Sequence, residues 1–405
     1  MEKEFNTQYK LITRGAIDVL PEDEFKDRLK ESIRENKPLR VKQGFDPTAP
    51  DIHLGHTVGI RKLKQFQDLG HKIVLIIGDY TGLVGDPSGR SATRPQLTHD
   101  QVMANAETYQ MQFFKILDKS KTEVHHNGEW FAKMSFKDIM ELAAKFTVAR
   151  MLERDDFEKR YKSGAPISIH ELFYPLMQAY DSVAIKADVE IGATEQKFNL
   201  LTGREIQQDF GIRPQVILTT PVLVGVDGHQ RMSKSIGNYI GIDEPAGEIF
   251  GKVMSIPDSL IYSYFELVTD VSLERLAKIK ADLEGEETNP MDIKKELGET
   301  LVSMYHTREE ARKARDEFKR VFSKKEIPDE VPEFDCAAYG EQVWIVRLLT
   351  DAGLVKSNGE ARRLIKGGGV SVDGEKVSAD DFELDLKDGL LVKVGKRRFL
   401  KIRHH

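Results

Sequence analysis

Five consecutive aliphatic residues, Ile73 to Ile77, run directly into a glycine-rich segment, Gly78 to Gly89. An apolar run this short, without polar alternation and closed by glycine, reads as a strand buried on both faces. The same theme recurs. Leu39 to Phe45 reads as a strand that ends in Asp46-Pro47-Thr48, and Val189 to Gly192 and Gln215 to Gly225 read as further buried strands. Between the first two lies Leu54 to Leu69, helical in pattern and stopped by Gly70. Strands of this kind alternating with helices predict a parallel sheet covered on both faces. Ligands of such folds gather at the carboxyl ends of the strands.

The rest of the 405 residues divides by composition. A charged, helix-like stretch from about 96 to 162 interrupts the alternation and reads as an insertion. From about Pro245 to Phe322 the pattern is helical. A charged segment with two prolines, Lys324 to Glu333, reads as a linker to a small terminal domain. The tail from Glu341 carries 13 Lys and Arg against 10 Asp and Glu, so it is net +3 while the remainder is −9. That asymmetry fits delegation of polyanion contact to the tail, and equally an indifferent surface. Cys336 is the lone cysteine, which excludes an intrachain disulfide and a cysteine zinc cluster and fits a reducing cytoplasm. No run reaches the roughly 20 apolar residues of a membrane span, and Met1 to Tyr9 lacks a signal-peptide core.

Two short motifs carry chemistry. His53-Leu54-Gly55-His56 stands where a strand-loop gives way to a helix. A helix N-terminus attracts phosphate through its free N–H groups and dipole, and two imidazoles there can stabilise charge on a nucleoside triphosphate. Histidines at a helix start also serve as surface or capping residues. Arg231-Met232-Ser233-Lys234-Ser235 follows a loop with two glycines. Its two cations, three apart with hydroxyl neighbours, suit closure over a pyrophosphate, or a solvated turn. Tyr174, Gln178 and Asp181, at i, i+4 and i+7, share one helix face. A buried carboxylate there needs a partner, either a substrate hydroxyl or a structural polar network.

Together the motifs resemble the HIGH and KMSKS signatures of class I aminoacyl-tRNA synthetases, in the order and wide separation of that family. Gly44-Phe45-Asp46-Pro47-Thr48-Ala49, Gly78 to Gly89, Tyr174-Pro175-Leu176-Met177-Gln178-Ala179-Tyr180-Asp181 and Gly192-Ala193-Thr194-Glu195-Gln196 are similar to stretches of the tyrosyl branch. The resemblance implies an α/β fold: a Rossmann-like parallel-sheet catalytic domain over 1–230, carrying the insertion. A mobile signature loop and helical anticodon-recognition domain over 231–323 would follow, then a linker over 324–340 and a small α+β domain over 341–405. In that tail Ser357-Asn358-Gly359-Glu360 has the capping-box pattern. It opens a basic helix stopped by Gly367-Gly368-Gly369, and a hairpin around Asp373-Gly374 follows. The order resembles an S4 RNA-binding domain, which would present Arg362, Arg363 and Lys366 to RNA phosphates. An ordinary amphipathic helix with a solvated basic face is the bland alternative.

The roles implied by the resemblance are these. Asp181 accepts the tyrosine hydroxyl, and Tyr174, Gln178 and Asp86 hold its ammonium group. Gln196 meets the tyrosine or its carboxylate, and Asp46 belongs to the same pocket. Glu195 faces the ribose, while Gly55, Ser233 and Ser235 adjoin ATP. His53 and His56 stabilise the phosphates in the transition state. Arg231, Lys234, Arg90 and Arg94 hold the departing pyrophosphate. Three positions depart from the commoner pattern: Lys42 replaces a tyrosine, Ala193 a glycine and Glu195 an aspartate. Lys42 fits the second bacterial subgroup and leaves the hydroxyl's second partner open, with Lys42 itself a candidate for the pocket. The expected reaction joins L-tyrosine to tRNA(Tyr) through an adenylate, with Mg²⁺ accompanying ATP, no metal ligand set, no tightly bound cofactor, no membrane, and a homodimer through the inserted segment. Tryptophanyl-tRNA synthetase, a small nucleotidylyltransferase and an inactive synthetase-like RNA-binding protein are the alternatives.

Overall fold

A computed structural model of the protein describes residues 1–47, 52–86, 98–285, 288–323, 331–395 and 398–404. The chain forms two compact units, Met1–Ala311 and Arg312–His405. Six strands make the sheet of the first unit: β1 (Asp18–Leu20), β2 (Arg40–Phe45), β3 (Lys72–Ile77), β4 (Thr122–His126), β5 (Val189–Ala193) and β6 (Val216–Thr220). Their order is β1-β6-β5-β2-β3-β4. All neighbours are parallel except the β1–β6 pair. The chain runs outward from β2 to β4 and then restarts at β5 on the other side of β2. The crevice of this sheet therefore opens between the carboxyl ends of β2 and β5, where the strand order reverses. β6 ends at Thr220, short of the expected Gly225, because Pro221 has no N–H to continue the ladder.

The stretch expected as a helical insertion over 96–162 is largely helical, but it also contributes a strand to the sheet. Its helix His99–Phe113 leads into β4, which pairs in parallel with β3 and completes the sheet. β4, Thr-Glu-Val-His-His, is half-buried along its whole length, so it lacks the apolar run that marked the others. Only the short helices from Gly128 to Ser163 leave the sheet. The helical stretch expected to open a domain at 231 also packs within the first unit. Buried Arg14 and Arg61 tie it there. Arg14 donates to the carbonyls of Phe265, Glu266 and Val271 at 2.7, 2.9 and 2.6 Å, and Arg61 donates to that of Val268 at 2.9 Å. Three of these carbonyls, those of Phe265, Glu266 and Val268, are orphan C-terminal carbonyls of the helix Ile261–Val268.

In the second unit, a five-stranded sheet and a two-stranded one surround a core that includes Val346, Leu349, Ile365, Val392 and Ile402. The helix Asn358–Lys366 precedes a hairpin in which Val372 faces Glu375 across Asp373-Gly374. Both turn residues have positive φ, 48° and 85°, as a two-residue turn of this type requires.

Candidate active site

The ends of β2, β5 and β6 and one helix start converge on a cleft of about 660 Å³, lined among others by Asp46, His53, His56, Asp86, Glu195, Arg231 and Lys234. It shares Gly44, Phe45, Asp46, Tyr174 and Gln196 with a small inner chamber lined also by Thr81, Gln178 and Asp181. The helix Ile169–Ile185 supplies Tyr174, Gln178 and Asp181 to that chamber, as their spacing predicts. Asp181 is 3% exposed. Its carboxylate accepts from the Trp130 indole at 2.9 Å and from Asn127 Nδ2 at 3.4 Å. Burial pushes its pKa up to about 7 against the opposing charge of Lys42 and these two hydrogen bonds. Trp130 and Asn127 were not among the expected residues. Both come from the segment after β4, and a Trp in a charged run was the one available signal.

Asp46, at the end of β2, accepts from the Tyr174 hydroxyl at 2.9 Å and the Thr81 hydroxyl at 2.7 Å. Gly78 is required beside them, because a Cβ there would collide with the Asp46 carboxylate. Asp86 meets Arg154 and the Gln196 amide, both at 3.3 Å. Arg154, buried and likewise unforeseen, also pairs with Asp156 at 2.7 Å and donates to Asn199 Oδ1 at 3.1 Å. Lys42 does not line the chamber. It is wholly buried behind it and pairs with Glu190 at 3.0 Å. Expected as a pocket residue beside Asp181, Lys42 acts on that carboxyl by its charge, which opposes the rise in its pKa, while its ammonium donates to Glu190, the Gln178 carbonyl and Ser182.

The imidazoles are set by the start of the helix Leu54–Asp68. His53 is the N-cap, and its Nδ1 accepts from the Gly55 N–H at 3.1 Å. His56 Nδ1 accepts from the His53 backbone N–H at 3.3 Å. The rings stack with centroids 3.9 Å apart, and a Cβ on Gly55 would lie 2.9 Å from the His53 ring. Burial, then the charges of His56 and Lys234, lowers the His53 pKa to about 3. Burial and Lys234 lower that of His56 to about 4. Both rings are thus neutral, with Nδ1 as acceptor and Nε2 as the remaining donor.

The loop carrying Arg231 to Ser235 is built around Asn238. Its side chain accepts from the Ser233 N–H at 2.8 Å and donates to Asp227 at 2.8 Å and the Arg231 carbonyl at 3.0 Å. Ser233 and Ser235 share a hydrogen bond of 2.9 Å. Arg231 pairs with Glu195 at 3.1 Å across the cleft mouth. Exposed pairs of this kind are worth only about 0–1 kcal/mol, so a phosphate chain can part them. Arg90 and Arg94 lie outside the described residues.

In the second unit, Arg362, Arg363 and Lys366 are exposed on the helix Asn358–Lys366. Arg362 sits 5.4 Å from the Trp344 ring centroid, and Arg362 and Lys366 approach Asp380 at 3.8 and 3.4 Å. The capping box is halved: Ser357 accepts from the Glu360 N–H at 3.3 Å, but Glu360 reaches the Lys356 N–H at 2.9 Å.

Residues 34–323 match the family model of tRNA synthetases class I (W and Y), and residues 324–402 match that of the tyrosine–tRNA ligase SYY-like C-terminal domain. A tyrosine–tRNA ligase of Carboxydothermus hydrogenoformans is 54% identical over 403 residues, covering 98% of each chain. One of Moorella thermoacetica is 51% identical over 402 residues, covering 99% of this chain and 97% of its own. Among solved structures, a C-terminally truncated mitochondrial tyrosyl-tRNA synthetase of Aspergillus nidulans aligns with a TM-score of 0.65 at 20% identity, covering 79% of this chain and 99% of that one. The Archaeoglobus fulgidus tyrosyl-tRNA synthetase complexed with L-tyrosine aligns at 0.63 and 24%, covering 77% and 99%. At these identities the structural likeness is one of fold.

Proposed function

The chain belongs to the family of tyrosine–tRNA ligases, and on that premise we propose which of its side chains carry each step. The enzyme activates L-tyrosine with ATP and transfers the tyrosyl group to tRNA. In the first step a tyrosine carboxylate oxygen attacks the α-phosphorus of ATP and pyrophosphate leaves. In the second a hydroxyl of the terminal tRNA ribose attacks the acyl carbon, and AMP leaves.

The observation that carries the amino-acid assignment is Asp181, a buried carboxyl at the chamber whose hydrogen-bond donors among the described residues are the N–H groups of Trp130 and Asn127. A phenol hydroxyl completes such a site, and an apolar side chain leaves it unmet. Tyr174, Gln178 and Asp86 would then surround the ammonium group, with Gln196 near the carboxylate. His53 and His56, as neutral Nε2–H donors, would meet the phosphates, where charge builds up on the α-phosphoryl group. Arg231 and Lys234, with Arg90 and Arg94, would hold the pyrophosphate, and Glu195 would turn from Arg231 to the ribose. No described cluster of three or more His, Cys, Asp or Glu is arranged for a metal. Mg²⁺ would enter with ATP. Arg362, Arg363 and Lys366 would meet tRNA phosphates, with Asp380 as the group that Arg362 and Lys366 leave. Exposed Phe136, Met140 and Val148 beyond β4 support a homodimer through that segment.

Amino-acid-dependent ATP–pyrophosphate exchange tests the reading. Exchange with tyrosine is expected. Exchange with tryptophan instead, or with no amino acid, refutes it.

A further inference from the structure

Lys42 and Glu190 are neighbours in register on the parallel strands β2 and β5, and both are 0% exposed. Neither lines the cleft or the inner chamber. Lys42 Nζ directs its donors at Glu190 Oε1 at 3.0 Å, the Gln178 carbonyl at 2.9 Å and the Ser182 hydroxyl at 2.8 Å. Glu190 in turn accepts from Gln178 Nε2 at 3.0 Å, from Ser182 Oγ at 3.2 Å and from Gln215. Stability alone gives little reason for such a pair. Replacing both members of a buried ion pair by uncharged groups is often neutral or stabilising, whereas removing one is strongly destabilising.

The pair does fix a direction. A carboxylate only accepts, so the Gln178 nitrogen must face Glu190. A guanidinium only donates, so the Asn199 oxygen must face Arg154, at 3.1 Å. Asn199 Nδ2 then donates to Gln178 Oε1 at 2.9 Å. The Gln178 amide is therefore oriented from both ends of a chain that runs from Arg154 through Asn199 and Gln178 to Glu190 and Lys42. Its carbonyl oxygen keeps a second lone pair on a side chain that lines the amino-acid chamber.

We propose that the Lys42–Glu190 pair is a positioning element for substrate recognition, holding the Gln178 carbonyl as acceptor for the tyrosine ammonium group. The inference rests on the functional reading above. That reading has its own test in tyrosine-dependent exchange by the unaltered enzyme, whose absence refutes it whatever the variants do.

The decisive comparison is between tyrosine and 3-(4-hydroxyphenyl)propanoate, which keeps the phenol and carboxylate and lacks the ammonium group. Glu190→Gln removes the acceptor-only partner at one end of that chain, so the Gln178 amide is held through Asn199 alone. The KM for tyrosine should rise about tenfold to a hundredfold, the span of one hydrogen bond to a charged group. The turnover number and the KM for ATP should stay within about threefold, as should inhibition by 3-(4-hydroxyphenyl)propanoate. Lys42→Met combined with Glu190→Gln removes both charges. It should melt near the unaltered protein and, assayed well above the Asp181 pKa of about 7 so that loss of the Lys42 charge does not protonate that carboxyl, still carry the selective tyrosine defect. A double variant that recovers the tyrosine KM, or that melts as low as Glu190→Gln alone, marks the pair as structural and overturns the proposal. So does a parallel weakening of both ligands, a larger loss for the propanoate, or no change in either.

Discussion

Asp181→Asn tests the amino-acid assignment most directly, because the change is isosteric and its consequences follow from the two donors already in place. Trp130 and Asn127 each point an N–H at a different carboxylate oxygen, at 2.9 and 3.4 Å. An amide has a single oxygen, so one donor is left facing an NH₂ group, and the phenol loses a charged acceptor. A hydrogen bond to a charged group is worth about 1.5–3 kcal/mol, or roughly a factor of 10–150. The kcat/KM for tyrosine should fall by that factor. Phenylalanine makes no such bond and no longer leaves a carboxylate unpartnered, so its kcat/KM should hold or rise. Exchange kinetics with both amino acids measure the ratio. A ratio unchanged from the unaltered enzyme would show that Asp181 does not face the hydroxyl.

The same variant carries a pH signature. The folded-state pKa of Asp181 is raised from 3.8 to about 7. Between those values the native protein holds a proton that the unfolded chain has released. Stability from this group is thus fully present below about pH 4 and falls as pH rises to about 7. The amide of the Asp181→Asn variant does not titrate, so the variant's melting temperature relative to the unaltered protein should climb across that window and level off above it. In activity, the ionised carboxylate is the acceptor, so kcat/KM for tyrosine should rise through about pH 7 and lose that step in the variant. His53 and His56, lowered to about 3 and 4, add no step to the activity near pH 7. A melting difference that stays flat with pH would refute the burial argument.

Lys234→Ala should lower the rate of tyrosine activation far more than it weakens tyrosine binding, since a cation that meets pyrophosphate acts in the transition state. Pre-steady-state titration showing a large binding defect with an unchanged chemical step would contradict this. Removing residues from 324 onward should leave ATP–pyrophosphate exchange within a few-fold and abolish most tRNA charging, because the cleft lies wholly within Met1–Ala311. Equal loss of both activities would refute a dedicated RNA role for the tail.

What could be read from the sequence was short-range. The apolar runs of β3, β5 and β6, the helix after His53, and the i, i+4, i+7 face of Tyr174, Gln178 and Asp181 all follow from local pattern. β4 did not, because an edge strand half-buried along its length has no apolar signature. Arg154, Asn199, Asn127, Trp130 and Glu190 were also missed. Their roles exist only in pairings across tens of residues, which one chain without structure does not display. A signal for two charges was nevertheless present. Lys42 and Glu190 stand inside otherwise apolar strands, and charges so placed must find each other or incur a large desolvation cost.

The histidine pair shows a different kind of gap. From sequence, helix capping and catalysis stood as competing explanations of His53 and His56. In the structure the capping bonds create the neutral donor state that the proposed phosphate contact needs. Each Nδ1 is held as an acceptor by a backbone N–H, which fixes the tautomer. Burial and the neighbouring Lys234 keep the proton count at one per ring. The donor that remains, Nε2–H, belongs to side chains lining the cleft. A charged imidazolium would lose its cap, since a protonated Nδ1 cannot accept. The helix start and the proposed phosphate contact therefore depend on the same protonation state, and loss of one entails loss of the other.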